Sequence, residues 1–167
     1  MSTANRDELQ KQMIQLIDDG YDLMHEYDLL PHRYGSVMLY QSEAKVIEYI
    51  GKHENVTITD LSANLGKTTS AYSQIVRKLK NKGWVEQVRN AENNREYILY
   101  LTGEGWKVFW DHEHFEQHCL QRTFEGLRDF SDEDIRTFCE IFQKLNVAFK
   151  MDVEDSYKNE DLSDFHA

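Results

Sequence analysis

The chain has 167 residues, 40% of them hydrophobic and 12% aromatic, which suffices for one domain, or one domain with appended arms, and excludes wholesale disorder. Its net charge of −11 at first sight argues against a nucleic-acid partner, a reading that the distribution of charge reverses. The apolar runs are too short for a secretory or membrane-spanning segment, and Cys119 and Cys139 fall in no metal or redox spacing, as expected of a cytoplasmic protein.

In chain order, Arg6 to Tyr27 carries Leu9, Met13, Leu16, Ile17, Tyr21 and Met24 at helical spacing. Leu29 to Tyr40, with Pro31 and Gly35, reads as a connector. Gln41 to Lys52 is a second helix with Ser42 as N-cap and Ala44, Ile47 and Ile50 inward. Val56 and Ile58 suit a short strand before Thr59, the expected cap of a third helix, and Gly66 supplies the turn that follows.

The helix from about Thr69 to Lys82 turns Tyr72, Ile75, Val76 and Leu79 inward and ends at Gly83. Two strand-like runs follow, Trp84 to Arg89 and Glu96 to Leu101, around a turn-rich tip, Asn90 to Arg95. Thr102 caps a long helix to about Phe124 with Trp106, Phe109, Trp110, Phe115, Cys119 and Leu120 on its apolar side. Ser131-Asp132-Glu133-Asp134 opens the last helix with acids at the positive end of its dipole, and Ile135, Phe138, Phe142, Leu145 and Phe149 continue it. The acidic residues after Met151 predict a frayed tail.

This pattern predicts a mainly α fold with a small antiparallel β-wing, a winged helix-turn-helix flanked by N- and C-terminal dimerisation helices. The expected divisions are 1–40 (dimerisation helix and connector), 41–101 (winged unit), 102–151 (dimerisation helices) and 152–167 (flexible acidic tail). The flanking helices are rich in Phe, Trp and Leu and need a partner surface, most simply a second copy.

Charge is unevenly distributed. Gly66 to Arg95 holds seven basic residues against Glu86 and Glu92, a net +5 that leaves −16 on the remaining chain. A basic patch on a repelling body directs double-stranded DNA to one face. On the expected recognition helix Thr69, Ser70, Ser73, Gln74 and Arg77 share the outward side. Gln74 suits a bidentate pair with adenine, Arg77 a guanine or a phosphate, and Lys78 a phosphate. Arg95, at the wing tip, suits a narrow minor groove.

These residues resemble the multiple-antibiotic-resistance regulator (MarR) family of winged-helix transcription regulators. The resemblance rests on the Thr59-to-Gly66 helix and turn, Ser70-x-x-Ser73, Leu79-x-x-x-Gly83-Trp84-Val85 and Arg95-x-x-x-x-x-Leu101-Thr102-x-x-Gly105. It covers most of the chain to about Met151. It implies a dimeric, DNA-binding, ligand-responsive regulator, usually a repressor, on a pseudo-palindromic operator. The family's wing usually bears acids two and five positions before the arginine; here Asn93 and Asn90 stand there.

The commoner effector in this family is a small aromatic anion held between the arms and the winged unit, where Tyr21, Tyr27, His32, Arg33, Tyr34 and Tyr40 are candidate lining residues. The alternative is zinc, through the cluster from His112 to His118. His114 and His118 lie one helical turn apart, with Glu113 beside them. Zinc-sensing members look similar in this helix and take further ligands from the connector and second helix. Here Glu43 fits, Ala44 replaces an expected histidine, and His25, Glu26 and His32 are loose candidates. The expectation is therefore no resident metal or cofactor. No nucleophile elbow, phosphate-cradling loop or HExxH helix points to an enzyme; a winged-helix module for protein contact is the remaining rival.

Overall fold

The computed structural model describes residues 3–91, 93 and 96–159. In order, the elements are α1 (Thr3–Leu29), β1 (Pro31–Tyr34), β2 (Val37–Tyr40), α2 (Gln41–Lys52), α3 (Ile58–Leu65), α4 (Thr69–Asn81), β3 (Val85–Arg89), β4 (Tyr97–Leu101), α5 (Gly103–Gly126) and α6 (Asp132–Asn159). The chain forms two compact units, Met1–His118 and Cys119–Ala167.

The first unit holds the hydrophobic core. Ala44, Val46, Ile47 and Ile50 of α2 pack with Leu61 of α3 and with Tyr72, Val76 and Leu79 of α4. Val85 of β3, Leu99 and Leu101 of β4, and Val108 and Phe109 of α5 complete the buried set with Tyr34, Leu39 and Val56. On α5 the buried line is therefore Val108, Phe109 and His112; Trp106 and Trp110, expected inward from spacing, are exposed. β3 and β4 pair antiparallel, Val85 opposite Leu101 and Arg89 opposite Tyr97. Val56 forms no strand of its own, but its carbonyl accepts the Leu99 N–H at 2.8 Å and so anchors the wing to the segment before α3.

Caps fix the helix boundaries. Thr57, not Thr59, caps α3: its hydroxyl accepts the Asp60 N–H at 3.2 Å, while the Asp60 carboxylate accepts the Thr57 N–H at 2.8 Å. This reciprocal pair satisfies two donors at once, which a threonine two positions further on cannot do. α3 ends at Gly66, whose φ of +76° is left-handed, and Thr68 caps α4 by accepting the Ala71 N–H at 3.2 Å. α2 starts not on Ser42 but on Tyr40, whose N–H donates to the Glu43 carboxylate at 3.2 Å.

Thr102 does cap α5, accepting the Gly105 N–H at 3.0 Å and donating its hydroxyl to the Gly83 carbonyl at 2.6 Å. A Cβ on Gly105 would lie 1.9 Å from the Trp84 carbonyl oxygen. The Thr102-x-x-Gly105 pattern thus records a close approach of the first turn of α5 to the end of the α4 turn.

Two segments differ from the sequence expectation. The connector is a β-hairpin, Pro31 opposite Tyr40 and Tyr34 opposite Val37, closed by Gly35 and Ser36. In the second unit α6 continues to Asn159, eight residues beyond Met151, with Lys150–Glu154 and Lys158–Asp155 pairs along it. Residues 160–167 lie outside the described residues.

Candidate nucleic-acid interface

α4 separates its two sides cleanly. Tyr72, Val76 and Leu79 are buried and Ile75 half-buried, while Thr69, Ser70, Ser73, Gln74, Arg77 and Lys78 are exposed. The 3.6-residue period produces this division, and the cap at Thr68 sets where it begins. The Tyr72 hydroxyl donates to the Leu65 carbonyl at 2.7 Å and locks the angle between α3 and α4. Ser73 donates its hydroxyl back to the Thr69 carbonyl at 2.8 Å, leaving its oxygen lone pairs to accept from outside.

The cations on and just beyond α4 differ in what they hold. Lys80 donates to the Gln87 side chain at 2.7 Å. Lys78 sits 2.7 Å and Lys82 3.6 Å from one oxygen of Glu43, a buried carboxylate on α2. Lys78 also lies 5.4 Å from the Tyr40 ring centre, and Lys82 4.6 Å from that of Trp84. Among the described residues, the side chains of Gln74 and Arg77 hold no hydrogen bond or ion pair. A groove of about 450 Å³ runs beside them, lined by Tyr40, Glu43, Gln74, Arg77 and Lys78. The chemistry on offer is a row of hydroxyls, one amide and one guanidinium, facing solvent on a rigid helix beside a β-hairpin.

A family model described as MarR family matches residues 40–96, the segment that forms α2, α3, α4 and β3 and ends just before β4. Curated relatives include the uncharacterized HTH-type transcriptional regulators YhjH and YpoP of Bacillus subtilis. YhjH is 24% identical over 64% of this chain and 61% of its own length, YpoP 22% over 65% and 74%. The alignment with YhjH thus spans less than two thirds of that relative. Over residues 40–96 the chain is similar to the MarR family.

Solved structures extend the likeness of fold. The zinc-responsive MarR family member ZitR of Lactococcus lactis superposes with a TM-score of 0.72 over 84% of this chain and 99% of its own, at 16% identity. Streptococcus pneumoniae FabT, solved in complex with DNA, gives 0.63 over 87% and 98%, at 23% identity.

The remaining sequence candidates fall in distinct places. Arg95 lies outside the described residues. Tyr27, His32 and Tyr34 come together, but they pack on one another. His32 stacks on Tyr27 at 3.9 Å between ring centres, with its Nε2 2.9 Å from the Tyr27 carbonyl, and Tyr34 is buried 5.1 Å from both Phe115 and His112. Tyr21 stacks on His25 on the exposed side of α1, and Arg33 is exposed on β1. Tyr40 alone of the six lines a cleft of about 520 Å³ near α4, with His25, Asp28, Lys45, Lys67 and Tyr72. Lys45 and Lys67 escaped sequence reading because only folding brings α2 and the α3–α4 turn together.

The zinc donor set does not assemble. His112 is buried against Tyr34, whereas His114 and His118 are exposed. Glu113 is held by Lys52 at 2.8 Å, and that bond, with a second from Glu48, raises the Lys52 pKa. Glu43 is engaged by two lysines. Among the described residues no three His, Cys, Asp or Glu side chains are grouped to hold a metal ion. The residues present therefore do not fit a zinc site. Burial lowers the pKa of His112, against the opposing pull of Glu116, Glu48 and Glu113, and keeps it neutral. Among the described residues its ring nitrogens have no hydrogen-bond partner; Glu116 is 3.6 Å away, too far for one.

Proposed function

We propose that this protein is a cytoplasmic, non-catalytic transcription regulator that binds duplex DNA as a homodimer, represses from a pseudo-palindromic operator, and is tuned by a small anionic ligand. One observation carries the DNA reading: the outward side of α4 presents Thr69, Ser70, Ser73, Gln74 and Arg77 to solvent while Tyr72, Val76 and Leu79 on its opposite side are buried. An exposed polar row on a recognition helix is what the major groove accommodates. Arg95 is the proposed minor-groove contact of the wing.

The dimer reading is supported by the apolar residues that α1 leaves exposed, Leu16, Leu23 and Met24 among them, and by those of α6 in the second unit, Phe138, Val147 and Val153. A two-fold pair of winged units would address half-sites one duplex turn, about 34 Å, or a multiple of that apart. The cleft with Lys45, Lys67 and His25 around the Tyr40 and Tyr72 rings supports an anionic effector. No helix among the described residues is long and apolar enough to cross a membrane.

The test is selection of binding sites from random duplex, followed by titration of the selected site over a range of salt. A recovered inverted repeat, bound with an affinity that falls steeply with salt, is expected. Absence of duplex binding at low salt would refute the DNA reading and leave a protein-contact module.

A further inference from the structure

Glu43 is an acid where the pattern of α2 places core. It stands on the same stripe as Val46, Ile47 and Ile50, and its side chain is 4% exposed. A carboxylate removed from water in this way must be compensated by charge or hydrogen bonds. One of its oxygens is hydrogen-bonded and the other is ion-paired without a hydrogen bond. One accepts the Tyr40 N–H at 3.2 Å, and the other faces Lys78 at 2.7 Å and Lys82 at 3.6 Å. Lys78 and Lys82 are four positions apart, and Gln74 and Arg77, on the DNA-facing side of α4, line the groove that Glu43 and Lys78 also line.

On the DNA-binding reading above, we propose that Glu43 acts as an internal substitute for a DNA phosphate: it holds Lys78 and Lys82 on the protein and so limits the part of binding that ignores sequence. A lysine that moved to the DNA backbone would leave the buried carboxylate short of a partner, so the exchange is unfavourable. The phosphate-seeking charge on α4 is thereby reduced to Arg77, which can also read a base, and Lys80, which donates only to the neutral Gln87 amide. Glu43 touches no DNA in this account. It positions the lysines, and binding depends more heavily on base edges as a result.

The experiment compares wild type, Glu43→Gln, Lys78→Ala and the double variant by titrating a random-sequence duplex at several salt concentrations. Glu43→Gln keeps the shape and the acceptor for Tyr40 but removes the charge. It should steepen the slope of log affinity against log salt by about one to two, one per lysine released, and raise random-duplex affinity about tenfold at 0.1 M salt. Lys78→Ala alone should leave the slope unchanged, yet in the Glu43→Gln background it should lower it by about one. Lys78→Ala leaves Lys82 3.6 Å from Glu43 and the Tyr40 N–H on its other oxygen, and its melting curve checks the fold independently of Glu43→Gln. Wild-type binding with a slope that Glu43→Gln does not change, or that Lys78→Ala alone lowers by about one, overturns the clamp and leaves DNA binding standing. No duplex binding by any of the four overturns both.

Discussion

Helices α4 and α1 carry apolar residues at the same helical spacing, but their apolar sides have different fates. In α4 Tyr72, Val76 and Leu79 are 2%, 1% and 0% exposed; in α1 Leu16, Leu23 and Met24 are 63%, 68% and 72% exposed. Periodicity fixes that a helix has an apolar side, and it is silent on which molecule covers that side. For α4 the cover is α2, α3 and β3 of the same chain. The core to which those elements belong runs only from Tyr34 to Phe109, so it ends where the arm has already begun.

The sharpest way to break this contrast is a pair of truncations. Leu79→Ala should lose about 2–5 kcal/mol of stability, because a fully buried leucine leaves both transfer energy and a cavity behind. Leu23→Ala, measured at protein concentrations low enough to keep the chain monomeric, should change stability by less than about 0.5 kcal/mol. Urea midpoints decide it: equal losses would mean that α1 is covered by its own chain.

A charge on the arm sharpens the same point. Leu23→Asp should convert a dimer to monomers in sedimentation equilibrium and weaken operator binding at least tenfold, about 1.4 kcal/mol, because one half-site can no longer hold the other. An unchanged sedimentation profile would place the dimer contact elsewhere. On α4 a substitution of the outward side should leave folding alone. Gln74→Ala should keep the wild-type melting curve but lose base preference at one position of each half-site, by about 1–3 kcal/mol. Recovery of the wild-type motif in site selection would remove Gln74 from base reading.

The winged unit was legible because its signals are local and agree. Gly66 and Thr102-x-x-Gly105 each have a short-range physical cause, and both mark boundaries of one architecture. The cap of α3 was displaced by two residues because two threonines compete and only Thr57 has an acid three positions later. The hairpin was hidden because each strand is four residues long, with Pro31 at its edge and a two-residue turn at Gly35, signals that also describe a loop. Acidic composition after Met151 suggested fraying, yet ion pairs at helical spacing are compatible with helix.

The candidate site divides along the same line. Which α4 residues face outward follows from period alone. What occupies each lysine does not, since Glu43 and Lys78 are thirty-five positions apart. The available signal was the acid itself, set on an otherwise apolar stripe of α2.

The smallest effect expected concerns His112. Its folded pKa is depressed by burial below the ordinary 6.5, so between those two values the unfolded chain binds the extra proton and the folded chain does not. Stability therefore rises with pH across that window: the neutral ring's contribution is complete above about pH 6.5 and is lost as pH falls toward the folded value. The slope that His112 adds to the unfolding free energy cannot exceed one proton per molecule. His112→Phe keeps a ring against Tyr34 and Phe115 and removes the titration. It should flatten the decline in urea midpoint between about pH 7.5 and pH 5.5 relative to wild type, with little change at the upper end. If both proteins decline in parallel, other groups set the acid sensitivity, and the contact between Tyr34 of the hairpin and α5 is insensitive to protonation.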